Sequence, residues 1–192
     1  MTTLEHTPLT RTVDGTEVPA PGTYTIDASH TEVGFSVRHL MVSKTKGRFG
    51  GVSGTVTIAE DPARSAVEVE IDVASIDTRD AGRDEHLRSA DFFDVEAHPT
   101  ITYRSTSVRP EGGDWHVEGE LTVRGVTVSV PLNVTFEGAA TSPWGTTAIG
   151  FTARADLDRE AFGLTWNQAL ETGGVLVGKQ VRIDIEAEAN AT

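Results

Sequence analysis

The sequence of 192 residues contains no cysteine. This absence excludes disulfide bonds, cysteine nucleophiles, iron–sulfur clusters, c-type haem attachment and thiolate zinc sites. The sequence also lacks a long hydrophobic run, because charged residues or glycines interrupt every apolar segment before the length of about 18 residues that a membrane-spanning helix needs. We therefore expect a soluble protein with no integral association with a membrane.

Basic charge is scarce. Lys and Arg total 16 against 29 Asp and Glu residues, which gives a formal net charge of −13. A phosphate backbone repels such a protein on average, so nucleic acid is not an expected partner. Hydrophobic residues make up 38% of the chain. This fraction is enough for a globular protein, and the abundance of Thr and Val favours strands over helices.

The first 22 residues lack an apolar run, and they include Glu5 and three prolines. They cannot form the hydrophobic region of a secretory signal, so we expect a cytoplasmic protein. Their composition predicts a disordered tail over residues 1–22. The rest of the chain, residues 23–192, is predicted to form a single domain.

From Thr23 onward, hydrophobic and polar residues alternate with a period of two, which predicts strands that bury one face. The clearest run is 67–73, where Val and Ile alternate with acidic residues. Roughly eight to ten strands follow from such runs, and because few helices separate them the sheet is predicted to be antiparallel. Closure into a barrel would remove its exposed edges. Whether side chains fill the interior or leave room for a ligand stays open.

Short segments between the strands have distinct signatures. Arg124-Gly125 predicts a tight hairpin. Residues 77–88 predict a short helix, with Asp77 or Thr78 as its N-cap and Arg88 in its last turn. A second helical turn is predicted over 158–162. The glycine-rich segment 47–54 lacks a nucleotide-binding pattern, so we expect its glycines to bend or bulge a barrel strand.

One cluster of titratable residues merits a metal hypothesis. No two histidines have the i, i+4 spacing of a helical zinc site. His86 is accompanied in the sequence by five aspartates, namely Asp77, Asp80, Asp84, Asp91 and Asp94. Arginines alternate with these aspartates, which is typical of a solvated helix face, and we therefore predict neither a metal nor another cofactor.

Two aromatic segments are candidates for closing one end of a barrel. Phe92 and Phe93 stand between two aspartates, and residues 162–166 have the sequence FGLTW. The simpler interpretation is a hydrophobic plug, and the alternative is a gate for a ligand.

Several segments, taken in order, resemble the YceI-like family of small lipocalin-like proteins. They are YTIDASHTEVGFSVRH (24–39), RDEHLRSADFFDV (83–95), EGELTVRGVT (118–127) and FGL (162–164). The resemblance extends over about residues 24–189. It implies an all-β fold, an extended eight-stranded antiparallel β-barrel with the short helix near residues 77–88. It also implies a non-enzymatic protein that binds, stores or carries a polyisoprenoid or an isoprenoid quinone inside the barrel.

Strand parity and the aromatic segments together predict the residues that contact such a ligand. They are Phe35, Val37, His39, Val69, Ile71, Phe92, Phe93, Ile101, Tyr103, Leu121, Val123, Phe151, Leu164 and Trp166. A polar head group needs partners at the mouth of the barrel, and positions at strand ends suggest four of them. These are Arg38, His39, Trp166 and Asn167.

Two other functions stay open. An enzyme that acts on an isoprenoid or quinone would use His39, His86 or Asp91 as acid or base, although no orienting partner stands at a recognisable spacing. Alternatively, a filled barrel would be a structural or interaction module, including one that forms a homodimer through an exposed strand edge.

Overall fold

Strands dominate the computed structural model, which describes residues 8–192. In this part of the chain there is one α-helix, α1 (Ala81–Arg88), and four short 3₁₀ turns lie at Ala28–His30, Pro62–Arg64, Val73–Ser75 and Arg159–Phe162. No helix of the described residues is long and apolar enough to span a membrane. The strands are β1 (Thr10–Val13), β2 (Thr16–Pro19), β3 (Gly22–Ile26), β4 (Glu32–His39), β5 (Ser43–Phe49), β6 (Val52–Ile58), β7 (Ala66–Asp72), β8 (Ile76–Asp77), β9 (Thr100–Glu111), β10 (Asp114–Val123), β11 (Val126–Ser129), β12 (Leu132–Thr141), β13 (Thr147–Asp158) and β14 (Val177–Ala191).

Twelve of these strands form an eight-stranded barrel. Short interruptions divide four of the eight barrel strands into two segments each, namely β3 and β4, β5 and β6, β7 and β8, and β11 and β12. Each long strand pairs antiparallel with the next along the chain, and β14 returns to pair with β3 and β4. This ring of hydrogen bonds confirms the predicted eight-stranded antiparallel β-barrel. Since β5 pairs with β8 only at Arg48 and Phe49, residues 43–47 keep a free edge.

The alternating pattern of the sequence is the physical basis of the barrel. In β7 the acidic residues Glu68, Glu70 and Asp72 are exposed, while Ile71 between them is buried. The register places Ile71 opposite Ile101 of β9, so apolar side chains of neighbouring strands share the inner face. A period of two thus directs one set of side chains inward and leaves the acidic set in water.

The connections divide into two ends, as they do in any barrel of sequential antiparallel strands. The helix end contains the connections 40–42, 78–99, 124–125 and 159–176. The hairpin end contains the connections 59–65, 112–113 and 142–146, together with the β1–β2 hairpin. The predicted tight turn at Arg124-Gly125 is confirmed, since Val123 pairs directly with Val126.

The helix begins later than the sequence predicts. Asp77 belongs to β8, and the backbone N–H and hydroxyl of Thr78 both donate to Asp84 Oδ1, at 2.9 and 2.6 Å. The N-cap is Asp80, whose carboxylate accepts from the Arg83 N–H at 2.9 Å. The predicted N-cap at Asp77 or Thr78 is therefore wrong, because strand pairing and the buried Asp84 engage those residues. The predicted end at Arg88 and the helical turn near residues 158–162 are confirmed.

The predicted disordered tail is wrong for most of its length. Residues 1–7 lie outside the described part, but β1 and β2 form a hairpin around Asp14-Gly15. Both turn residues have positive φ, +51° and +81°, as a tight hairpin turn requires. Arg11 fixes the hairpin to the barrel by donating to the carbonyl oxygens of Ala59 and Glu60, at 2.6 and 2.8 Å. Val18 is only 2% exposed. The hairpin therefore covers one end of the barrel.

We expect Val18→Asn to lower the free energy of unfolding by about 2–4 kcal/mol, because it removes a buried Val and introduces an unpaired amide. Thr12→Asn introduces the same side chain at an exposed position of β1 and is expected to change little. Urea denaturation compares the two variants. Equal stability of the two would show that the hairpin does not pack on the barrel.

Candidate ligand-binding cavity

An apolar cavity of about 470 Å³ occupies the barrel interior. This volume lies within the range of roughly 300–1,000 Å³ that is usual for small-molecule sites. Its lining extends from Val18 and Pro19 at the hairpin end to Phe92, Leu164 and Trp166 at the helix end. Side chains therefore leave an open space in this barrel, which argues against the filled-barrel interpretation.

All the residues that the sequence assigns to ligand contact lie around this one cavity. They are Phe35, Val37, His39, Val69, Ile71, Phe92, Phe93, Ile101, Tyr103, Leu121, Val123, Phe151, Leu164 and Trp166. Their contact with a ligand stays a prediction.

Strand register explains how residues far apart in sequence reach the same wall. Val69 of β7 pairs with Tyr103 of β9, which in turn pairs with Leu121 of β10. Directly opposed residues of adjacent strands point to the same face of a sheet. Three strands thus contribute one apolar layer, and similar layers follow along the barrel.

Tyr103 has the one phenol in the cavity wall, and its hydroxyl is already used. The Tyr103 O–H donates to the carbonyl oxygen of Val130 at 3.0 Å. Burial raises the pKa of this phenol above its ordinary value, and the nearby charge of Glu118 acts in the same direction. Tyr103 therefore stays neutral and acts as a wall residue.

An aromatic cluster closes the helix end of the cavity. The ring of His86 lies edge-on to Phe92 and Trp166, with centroid distances of 5.1 and 4.7 Å. Phe92 and Leu164 are buried, and the guanidinium of Arg124 donates to the Phe92 carbonyl oxygen at 2.8 Å. Both aromatic segments therefore meet at one barrel end, as the plug and the gate hypotheses alike require.

His86 has a partner that sequence spacing did not reveal. Its Nε2 lies 2.8 Å from Oδ2 of Asp91, because the chain turns at Ser89 after the helix and brings the two side chains together. His39, the other histidine considered for acid–base chemistry, lies at the end of β4 and also lines the cavity. Of the three candidate residues, only His86 and Asp91 form a pair.

Arg159 is a buried cation in the cavity wall that sequence reasoning missed. It is 6% exposed, and its guanidinium donates to the carbonyl oxygens of Gly178 and Leu164, at 2.8 and 2.7 Å. Burial lowers its pKa, while the neighbouring charges of Glu160 and Asp158 oppose this shift. These bonds fix the 159–176 connection to β14. The hydrogen-bond partners of Arg159 are backbone carbonyl oxygens, so no pattern of side chains in the sequence indicates them.

The predicted head-group partners divide into two groups. Arg38, His39 and Trp166 line the cavity at the helix end. Asn167 does not, because its amide donates to the Val177 carbonyl oxygen at 2.7 Å and accepts from the Val177 N–H at 3.0 Å. The structure thus gives the Asn167 side chain a structural role, and its contact with a head group stays a prediction. Among the described residues, no Asp or Glu lines the cavity, although acidic residues are the majority of the charged ones.

The acidic residues around His86 do not converge on a metal site. Asp80 and Asp84 accept hydrogen bonds that fix the helix, and Asp77 accepts from the N–H of Arg79 at 2.8 Å. Asp91 is paired with His86. Each of these four carboxylates has a structural partner.

A different group in residues 8–192, formed by Asp27, His30 and Glu188, has ligand atoms within 4.8 Å of one another. Asp27 caps a 3₁₀ turn there. Hydrogen bonds from Ser29 and His30 lower the pKa of Asp27, and the bond to Asp27 raises the pKa of His30. Hydrogen bonding and turn capping account for this arrangement without a metal.

Comparison with known proteins agrees with this architecture. Residues 24–189 match the family model of the YceI-like domain. A UPF0312 protein of Staphylococcus aureus is 36% identical over 170 residues, which cover 86% of this chain and 95% of that protein. The crystal structure of BcnA from Burkholderia cenocepacia superposes with a TM-score of 0.74 at 25% identity, and the match covers 85% of this chain and 99% of BcnA.

A second solved structure is described as a polyisoprenoid binding domain from Saccharophagus degradans. It superposes with a TM-score of 0.64 at 16% identity and covers 88% of this chain and 98% of that domain. At this identity the likeness is one of fold.

Proposed function

We propose, because this chain belongs to the family of YceI-like domain proteins, that it binds a long-chain isoprenoid inside its barrel and stores or carries it unchanged. The ligand would be a polyisoprenoid or an isoprenoid quinone. The observation that carries the proposal is the apolar cavity, which extends between the two barrel ends without a carboxylate in its described lining.

The energetics of such a site favour a long apolar chain. A tail that buries on the order of 300 Å² of apolar surface gains roughly 7 kcal/mol at about 25 cal/mol per Å². Part of this gain offsets the loss of translational and conformational freedom on binding. Affinity therefore depends mainly on the length of the tail, and the head group contributes less.

The charge distribution of the lining also orients the ligand. Basic side chains concentrate at the helix end, where His39, His86 and Arg159 line the cavity. At the hairpin end the lining residues include Val18, Pro19 and other apolar side chains. We therefore place the head group at the helix end and the tail toward the hairpin. The S. degradans domain, which has the same fold and is described as a polyisoprenoid binding domain, supports this ligand class.

Thermal unfolding in the presence of added ligands tests the proposal. We expect a polyprenol and a long-tailed quinone to raise the melting temperature, since a ligand at 100 times its Kd stabilises the folded state by about 2.7 kcal/mol. The same quinone head without a tail is the matched control and should have little effect. An equal effect of the tail-less head, or no effect of any isoprenoid, would contradict the proposal.

The His86–Asp91 pair is the one observation that favours a second function, chemistry on the bound isoprenoid. A neighbouring carboxylate can orient a histidine for proton transfer. Carriage and catalysis predict different fates for the ligand. A carrier returns the isoprenoid unchanged after prolonged incubation, whereas a product whose formation is lost in His86→Gln would establish an enzyme.

A further inference from the structure

The helix end carries an exposed apolar patch, which we call the apolar rim and define as Leu40, Met41, Val42 and Val175. Their exposed fractions are 39%, 55%, 80% and 37%. Three of them form the turn between β4 and β5, and the side chain of Met41 lies beside Gly174 of the 159–176 connection. Large hydrophobic side chains that project together into water commonly mark an interaction site.

Backbone conformation makes the choice of residues in this turn unusual. Leu40 and Met41 have φ angles of +53° and +61°, a left-handed conformation that favours Gly and Asn. The β1–β2 hairpin meets the same demand with Asp14-Gly15. Because the side chains of Leu40 and Met41 are exposed, burial in the folded chain does not offset this strain. A strained backbone whose side chains do not pack within the protein indicates that these side chains contact something outside it.

The segment that carries the turn of the apolar rim has a charge opposite to that of the whole protein. Residues 33–59 contain no Asp or Glu, and the three lysines of the chain are Lys44, Lys46 and Lys179. Lys44 pairs in register with Arg38, so two cations stand side by side next to the turn. In the described residues, no ion pair includes Arg38, Lys44 or Lys46. An apolar tip beside unpaired cations has the chemistry of an interfacial membrane anchor.

The rim adjoins the helix end of the cavity. The backbone N–H of Leu40 donates to the carbonyl oxygen of Leu176 at 2.9 Å. Leu176 and His39, the residue before Leu40, both line the cavity. A surface bound at the rim would therefore face the end where the head group of a ligand is proposed to lie.

We propose that the apolar rim docks on an anionic lipid bilayer. Leu40, Met41 and Val42 enter the interface between head groups and acyl chains, while Arg38, Lys44 and Lys46 contact lipid phosphates. The net charge of −13 opposes this approach at long range, but salt screens charges beyond about 10 Å, and the segment 33–59 that carries the turn contains no carboxylate side chain. The docking proposal depends only on the residues of the rim and its neighbouring cations. The purpose of docking, which is isoprenoid exchange with the bilayer, depends on the proposed function.

Flotation of the full chain with phospholipid vesicles tests the docking. We expect vesicles that contain phosphatidylglycerol to bind the protein roughly tenfold more than vesicles of phosphatidylcholine alone. Leu40→Asn with Met41→Gly is expected to abolish binding without lowering the melting temperature, because Asn and Gly suit the left-handed turn. Lys44→Gln with Lys46→Gln should remove the preference for anionic lipid.

Trp144 offers a matched control, because it is 89% exposed but lies at the hairpin end. Trp144→Ala should bind vesicles as the wild type does. The proposal is overturned if the turn variant still binds, if Trp144→Ala removes binding, or if the wild type binds no vesicles. It is also overturned if sedimentation shows that the turn instead joins two copies of the chain along the free edge of β5. The rise in melting temperature of the turn variant on addition of an isoprenoid distinguishes docking from ligand binding in the cavity. If the turn variant keeps this rise but no longer binds vesicles, docking at the rim is supported. If it also loses the rise, the rim does not act in docking alone, and the proposal is overturned.

Discussion

The substitution of both Ala153 and Ala155 by Phe is expected to abolish isoprenoid binding while the barrel still folds. Both alanines line the cavity from β13, with exposed fractions of 8% and 7%. They are two residues apart on one strand, so the new rings enter the cavity at levels separated by about 7 Å. The existing space accommodates the rings at a modest cost, since overpacking of even a filled core costs about 1–3 kcal/mol.

The measurement is the amount of lipid that co-purifies with each variant, together with the rise in melting temperature on addition of an isoprenoid. Both should fall at least about tenfold, as expected when the tail loses its buried surface. Arg154→Phe is the control, because the side chain of Arg154 lies between the two alanines in sequence but is 81% exposed. Wild-type ligand content in the double variant would show that the ligand does not occupy the barrel.

Gly54→Ala is expected to cause the largest loss of stability, about 3 kcal/mol or more. Gly54 has a φ of +151°, and a side-chain carbon at this position would overlap the carbonyl oxygen of Glu68 on the neighbouring strand. The obstacle is backbone, so no side-chain rotation relieves it. The β6–β7 pair would have to separate near Val69, which lines the cavity.

Gly50→Ala is the matched control for this prediction. Gly50 lies four residues earlier, and an added side-chain carbon there meets no atom within 4 Å. We expect its free energy of unfolding to change by no more than about 0.5 kcal/mol. Urea denaturation measures both variants. A Gly54→Ala protein as stable as Gly50→Ala would contradict the close approach of β6 and β7.

The fold and the walls of the cavity were predictable because they depend on a period of two. Alternation in a run such as residues 67–73 determines which side chains share a face, whatever the pairing partner. Val69 and Ile71 are therefore found on the cavity side, and Glu68 and Glu70 face water. Pairing then follows from chain order, since most strands are joined to the next by a short connection.

Features that depend on tertiary contacts were not predictable in the same way. Composition suggested a disordered tail, but the Asp14-Gly15 turn and the anchoring of Arg11 to backbone carbonyls produce a hairpin. The turn signal was present in the sequence, whereas the anchor was not. Asn167 and Arg159 likewise bind backbone atoms of the β14 region, and such partners leave no pattern in the side-chain sequence.

The central claim is that a long apolar ligand occupies the barrel. Organic extraction of the freshly purified protein, followed by mass spectrometry, tests it most directly. We expect an isoprenoid in near-stoichiometric amount from the wild type and from Arg154→Phe, and little from the Ala153→Phe, Ala155→Phe protein. Equal amounts of lipid from all three proteins, or no isoprenoid from any of them, would contradict it.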